Sequence, residues 1–479
     1  MSLFQKSATE LANMIKKQEI TSEEVVRKHI ERAVQFNPHI NAIVYENYHG
    51  AIAQSKQADE KVKAGDELGV FHGVPCTLKE CFAVQGMPQT SGVVNRKNYR
   101  ATENAPAVQR IIDSGAIPLG VTNTSELCMW YESANKIYGR TNNPYNLKKM
   151  VGGSSGGEGA IVGSGASPFG LGSDIGGSIR MPAFFNGVFG HKGSGGLIPN
   201  TGQFPAPENP IRILSTGPLA RRAEDLLPLI QLMKGKDGHD EAVLDIQIEN
   251  DYKVDFSTLK VLNFADIKGK KVDADLKAKQ NKVLEFFKSK GATVSDIKVE
   301  AFDQAFDIWS NYMANESGKN GFAQLLGYKS NLTLFKHLFL SMVRMSPHTT
   351  PAILLGLTEN TTYWFPKKMQ KMLELAESMR QEVNQLLDGN TIMVFPSHPR
   401  VAPSHYYPLL RPFAFVYTGI LNIAQIPVTQ VPLGLNENGL PLGIQIGAAH
   451  GKDHLTIAVA CELEKAFGGW VMPKTFPNQ

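Results

Sequence analysis

Two Gly- and Ser-rich clusters, Gly152-Gly153-Ser154-Ser155-Gly156-Gly157 and Asp174-Ile175-Gly176-Gly177-Ser178-Ile179-Arg180, concentrate the chemistry that this sequence offers. Glycine costs conformational entropy wherever it is ordered, and a buried serine needs hydrogen-bond partners. Beside a hydroxyl, however, glycines let consecutive backbone N–H groups converge on one spot with no Cβ in the way. An oxyanion or a phosphate needs that arrangement. Each cluster therefore sets a hydroxyl next to a nest of donors, and the Ala/Gly/Val run between them reads as a tightly packed helix followed by a short apolar strand.

Phosphate binding fits poorly, because there is no G-x-x-x-x-G-K-[ST] and neither cluster gives G-x-G-x-x-G after a strand and opening a helix. Gly152 to Gly156 formally fits the G-x-S-x-G nucleophile elbow of a Ser-His-Asp hydrolase, which calls for an apolar strand before Ser154. The residues there, Asn142 to Met150, are polar and turn-like, and none of the downstream histidines His398, His405, His450 and His454 is singled out.

The paired clusters resemble the amidase signature family, whose members hydrolyse amides with a Ser-cisSer-Lys triad. The resemblance implies Ser178 as nucleophile, Ser154 as the bridging serine and Lys79, in Pro75-Cys76-Thr77-Leu78-Lys79-Glu80, as the base. It further implies an oxyanion hole from the N–H groups of Ile175, Gly176, Gly177 and Ser178, and support from Ser155, Asp174 and Arg180. Cys128 and Ser154 would border the substrate, with the Cys128 side chain packing rather than reacting. Gly156-Gly157-Glu158-Gly159, Ser178 through Gly187, Pro396-Ser397-His398-Pro399 and Gly468-Gly469-Trp470 look like the fatty acid amide hydrolases, the second vertebrate type most of all. Within the family the alternatives are a small-molecule or aryl amidase and a component of an amidotransferase. His191-Lys192-Gly193 departs in part from the family's more usual Lys-Pro continuation, which reads as a surface-level difference.

Such chemistry makes demands on Lys79. A lysine near its reference pKa of about 10.4 is protonated at neutral pH, so a base role requires desolvation or neighbouring positive charge. A second hydroxyl both accepts and donates, so Ser154 can relay a proton between Ser178 and Lys79.

The elements that position these residues follow from pattern. Ser7-Ala8-Thr9-Glu10 and Thr21-Ser22-Glu23-Glu24 are capping-box candidates opening two amphipathic helices. Ala42 to Tyr45, Cys76 to Leu78 and Ile117 to Val121 read as strands, with helices about Ala51 to Val62 and Ala105 to Ser114 between them. Further strands are expected at Leu259 to Phe264, Thr293 to Val299, Ile392 to Phe395, Val428 to Pro432 and Leu442 to Ile446, with helices at Ala274 to Lys288 and His454 to Phe467. The alternation gives an α/β class. By resemblance it is the amidase signature fold, one large mixed β-sheet sandwiched between layers of α-helices.

No linker or charge block divides the 479 residues, and 42% hydrophobic content supplies one large core, so residues 1-479 are read as a single domain. Within it the signature core spans about 70-220, a peripheral and possible substrate-channel region about 224-389, and a C-terminal sheet and helix 390-479. In that middle region Leu332, Phe335, Leu338, Phe339, Met342 and Met345 recur at helical spacing. Burial in the core is the first expectation for this stripe; an acyl-channel wall or a peripheral membrane contact is the sharper one.

The formal charge of +4 is small and dispersed, which gives no argument for nucleic acid as a partner. Cys76, Cys81, Cys128 and Cys461 form no CxxC pair, which suits a reducing compartment and argues against metal ligation. No window reaches the ~20 apolar residues of a transmembrane span, and the start at Met1 has no signal-like apolar region. The expectation is a cytoplasmic hydrolase without cofactor or metal, acting on a small-molecule amide with an apolar acyl group. The resemblance also allows a homodimer.

Overall fold

The strand Thr391–Phe395 shows why the chain folds in layers: Ile392 and Val394 enter one hydrophobic core, while Met393 and Phe395 enter another. With both faces covered, a strand reads as an unbroken apolar run rather than an alternating one. The computed structural model describes residues 3–206, 209–316, 321–328 and 332–474.

Eleven strands form one mixed sheet: β1 (Ile43–Glu46), β2 (Pro75–Lys79), β3 (Ile117–Thr122), β4 (Phe169–Asp174), β5 (Phe189–Lys192), β6 (Ser215–Ala220), β7 (Lys260–Phe264), β8 (Thr293–Ile297), β9 (Thr391–Phe395), β10 (Val428–Leu435) and β11 (Pro441–Ala448). Their order across the sheet is β1-β3-β2-β4-β6-β5-β10-β11-β9-β7-β8. Helices cover both faces, as the α/β reading requires. The strands β2 and β4 run parallel with Leu78 opposite Leu171, so the C-terminal ends carrying Lys79 and Asp174 lie side by side.

Local signals place most elements where the sequence does. Ser7 caps the helix Ala8–Lys16 with both bonds of a capping box, and Thr21 accepts from the Glu24 N–H at the start of Ser22–Ile40. The helix Gly156–Gly163 is wholly buried. Its glycines permit very close approach: a Cβ on Gly157 would stand 2.4 Å from the backbone nitrogen of Asn123.

Three expectations change. Asn146–Met150 is a strand, in a small separate hairpin with Asn142–Asn143, because Asn143 and Asn146 supply the turn. His191 is fully buried, not superficial: its ring bonds Thr429 at 2.8 Å and Asp453 at 3.0 Å, tying β5 to β10 and to the last helix. The Leu332 to Met345 stripe is not core. Only Leu334 and His337 of the helix Leu332–Met342 are buried, whereas Leu332 (78%), Phe339 (68%), Met342 (71%) and Met345 (72%) face solvent. One face of this helix packs on Leu127, Val93 and Ile353, and among the described residues no further layer lies over the other.

Candidate active site

Strand β2 ends by delivering Lys79 into the interior, where its side chain has no exposed surface. Lys79 Nζ donates to Ser154 Oγ at 2.6 Å and to Ser173 Oγ at 3.0 Å. Ser154 follows a cis peptide at Gly153-Ser154, and its carbonyl accepts from the Ser133 hydroxyl at 2.9 Å. Ser155 joins the two Gly/Ser clusters: its N–H donates to the Ser178 carbonyl at 3.2 Å and its hydroxyl to the Ser173 carbonyl at 3.3 Å. Ser178 is 8% exposed, and among the described residues its hydroxyl has no hydrogen-bond partner.

A buried ion pair shapes the turn that carries Ser178. Asp174 accepts from the backbone N–H groups of Gly177 (2.7 Å), Ile179 (3.1 Å) and Arg180 (3.3 Å), and from the Arg180 guanidinium at two positions, each 3.0 Å. Burial opposes ionisation of Asp174, but the Arg180 charge and the Asn422 amide outweigh it and hold the carboxyl well below the usual range. Arg180 also reaches Asn422, the Thr418 carbonyl and Gln445. Thr418 in turn donates to the Gly176 carbonyl at 2.8 Å, and Trp309 to the Ile175 carbonyl at 2.9 Å. Gly177 sits at φ +117, and a Cβ there would stand 2.0 Å from the Thr418 hydroxyl, so only glycine fits.

This bracing engages one member of the expected donor set. The Gly177 N–H is spent on Asp174, because the carboxylate needs it to close the turn. The N–H groups of Ile175, Gly176 and Ser178 have no protein acceptor among the described residues.

Cys128 lies in a taut loop beside these groups. Leu127 and Cys128 both adopt left-handed backbone, at φ 57 and 59, which costs non-glycine residues on the order of 1–3 kcal/mol each. The loop is held by Glu126, whose buried carboxylate takes His348 Nδ1 and the Thr349 N–H, each at 2.7 Å. Apolar packing is not the whole setting of the Cys128 thiol: it stands 3.3 Å from the Thr124 hydroxyl and 3.9 Å from that of Ser91. A cavity of about 290 Å³ opens along this loop, lined by Glu126, Trp130, Glu132, Arg140, His348 and Tyr406 among others. It is close to Ser154, since the Trp130 carbonyl would stand 2.5 Å from a Cβ on Gly153.

A family model described as amidase matches residues 24–457. The chain belongs to the amidase family. Human fatty-acid amide hydrolase 2 is 43% identical to it over 98% of this chain and 90% of that protein. Fatty-acid amide hydrolase 2-B of Danio rerio is 42% identical, again over 98% of this chain and 90% of that protein. A solved structure of fatty acid amide hydrolase superposes with a TM-score of 0.79 at 21% identity, covering 98% of this chain and 86% of that one. At that identity the superposition speaks for the fold.

Sequence reasoning passed over Ser173, Thr418, Asn422 and the Glu126–His348 contact. Ser173 could have been found, since it precedes Asp174 on a strand parallel to that of Lys79; the other three come from distant segments with no motif. It also passed over Glu158 as a titrating group. Glu158 is fully buried, accepts from the hydroxyls of Thr77 and Thr122 at 2.7 Å each, and is pushed up to about 8 by burial.

If Ser178 is the nucleophile and Lys79 the base, Ser178→Ala is expected to abolish turnover and Lys79→Ala to lower kcat by about 10²–10⁴, leaving a residual rate that rises with pH. Survival of activity in the first variant removes Ser178 from the chemistry. Glu158 ionises near its ordinary value in the unfolded chain but holds its proton to about 8 when folded, so folding stability falls as pH rises between these values. Glu158→Gln flattens that fall of Tm, measured by thermal denaturation from about pH 5 to about pH 8.

Proposed function

We propose that this amidase hydrolyses carboxylic amides of long-chain fatty acids through an acyl-enzyme on Ser178. The observation that carries the chemistry is the buried Lys79–Ser154 hydrogen bond of 2.6 Å beside a turn that presents Ser178 with unengaged N–H groups. In this reading Lys79 takes a proton from Ser154 as Ser154 takes one from Ser178, whose oxygen attacks the amide carbonyl. The N–H groups of Ile175, Gly176 and Ser178 receive the oxyanion, an interaction whose single donors are worth about 10²–10³ in rate. The proton returns by the same hydroxyl to the leaving amine, and water then cleaves the Ser178 ester along the reverse path. Histidine has no role in it.

The fatty acyl preference is supported by the likeness to human fatty-acid amide hydrolase 2 and by the apolar face of the helix Leu332–Met342. That helix packs against Leu127, next to Cys128, so its exposed residues and the candidate site belong to one neighbourhood. Leu332, Phe335, Phe339, Met342 and Met345, joined by the exposed Trp364 and Phe365, suit a peripheral contact with a lipid surface, and Lys336 and Arg344 on the same segment suit anionic headgroups. Among the described residues no helix is long and apolar enough to cross a membrane.

For a series of primary amides from acetyl to oleoyl, with benzoyl included, kcat/KM rises steeply with chain length, since each buried CH₂ adds about 0.8 kcal/mol. A flat or falling series makes the chain a small-amide or aryl amidase. The Phe335→Ser/Phe339→Ser double variant loses co-sedimentation with phosphatidylserine-containing vesicles while keeping its rate on a short soluble amide; unchanged vesicle binding removes this face from the lipid contact.

A further inference from the structure

Three consecutive carbonyls in the turn that leads to Ser178 are each held by a side chain from a distant part of the chain. The Asp174 carbonyl accepts from the Asn422 amide at 3.0 Å, that of Ile175 from the Trp309 indole N–H at 2.9 Å, and that of Gly176 from the Thr418 hydroxyl at 2.8 Å. The peptide bonds of this turn are trans. In a trans peptide the carbonyl and the N–H of the next residue point in opposite directions, so a pinned carbonyl aims the N–H that follows it. We propose that Trp309 is a positioning residue for the reaction: by holding the Ile175 carbonyl, its indole aims the Gly176 N–H at the oxyanion formed when Ser178 attacks, a role that rests on the acyl-enzyme reading above.

The three contacts differ in what they aim. Thr418 turns the Gly177 N–H onto Asp174, where it is engaged at 2.7 Å and lost to a substrate. Asn422 sets the Ile175 N–H, but its amide also serves the Asp174 carboxylate and the Ile213 carbonyl, and its oxygen accepts from Arg180. Trp309 sets the Gly176 N–H, which has no protein acceptor among the described residues. Among those residues the indole makes this one hydrogen bond. Removing it therefore alters the aim of Gly176 and leaves the Asp174–Arg180 pair whole.

Packing holds the indole in place. Trp309 lies on the helix Ala305–Glu316, which packs on Val416–Ile423, the helix that carries Thr418 and Asn422. Its ring meets Phe415 edge to face, with centroids 4.8 Å apart and planes at 76°, and Phe415 in turn faces Tyr131 at 6.3 Å. Gly176 sits against this pair: a Cβ there would stand 3.4 Å from the Trp309 ring and 3.5 Å from that of Phe415. An aromatic wall thus touches the backbone of the turn, and the indole N–H finds its partner there rather than in solvent. A donor held in place before substrate arrives needs no reorganisation in the transition state.

The test is Trp309→Phe, which keeps an aromatic ring against Phe415 and loses the donor. Turnover is measured on one amide, beside inhibition by an alkyl trifluoromethyl ketone and by the matching alcohol. The Ser178 oxygen adds to the ketone carbon, its proton leaves by way of Ser154, and the carbonyl π pair becomes an oxyanion; the alcohol cannot add. The expected result is a kcat lower by about 10- to 100-fold, short of the about 10²–10³ that follows outright loss of a donor, with KM unchanged. The ketone weakens by the factor that kcat/KM loses, and the alcohol binds as before. A raised KM with kcat intact overturns the proposal, as do an unmoved kcat and an equal weakening of ketone and alcohol. A carbonyl-labelled ketone whose NMR spectrum shows no hemiketal with the unsubstituted chain, or keeps it in Ser178→Ala, overturns the acyl-enzyme reading and this role with it. If Trp309→Phe does not fold, 3-benzothienylalanine at position 309, the same shape with sulfur in place of the N–H, gives the same comparison.

Discussion

The buried Asp174–Arg180 pair is the constraint on which the site depends. Two fully desolvated charges are costly, and they are tolerated because each is saturated: Asp174 by three backbone N–H groups, the guanidinium and Asn422, and Arg180 by Asp174, Thr418, Asn422 and Gln445. Losing one partner of such a pair typically destabilises by about 3–5 kcal/mol. What the pair supplies in exchange is position. It fixes the Gly-Gly-Ser turn at the end of β4, orients the Ile175, Gly176 and Ser178 N–H groups, and ties that turn to the C-terminal part of the chain through residues 418–445.

The glycines around this pair act through closeness. Gly170 on β4 leaves room for the Glu158 carboxyl, which would lie 1.7 Å from a Cβ at that position, and Gly172 leaves room for the Ser155 hydroxyl at 2.9 Å. The helix Gly156–Gly163 can therefore lie against the sheet, and Ser154 and Ser155 at its start come within reach of Lys79 and Ser173. Here conformational entropy is exchanged for short distances in a dry interior, where each hydrogen bond is electrostatically stronger than in water.

Much of this was legible in the sequence, for identifiable reasons. Buried strands announce themselves by apolar runs, as at Ile392 to Phe395, and helices by caps and spacing, as at Ser7 and Thr21. Lys79, Ser154 and Ser178 stand out because their neighbours carry a long motif. What stayed hidden depends on a third dimension. Nothing near Gly177 in sequence says that its N–H serves Asp174, and the partners that Arg180 finds beyond Asp174 all lie in the C-terminal part of the chain. The Leu332 to Met345 stripe shows the limit from the other side: helical periodicity marks an apolar face, but whether another layer covers it is decided elsewhere in the chain. His191 reads as a surface-level difference until Thr429 and Asp453 are seen around it.

The proposed chemistry stands on an ester formed at Ser178. Acid quenching during turnover of an activated oleoyl amide, followed by peptide mass spectrometry, tests it most directly. One oleoyl group is expected on the peptide that contains Ser178, appearing within the first turnover and lost as product forms. An acyl group on any other residue, or full turnover with none detected on Ser178 under conditions where deacylation is rate-limiting, contradicts it.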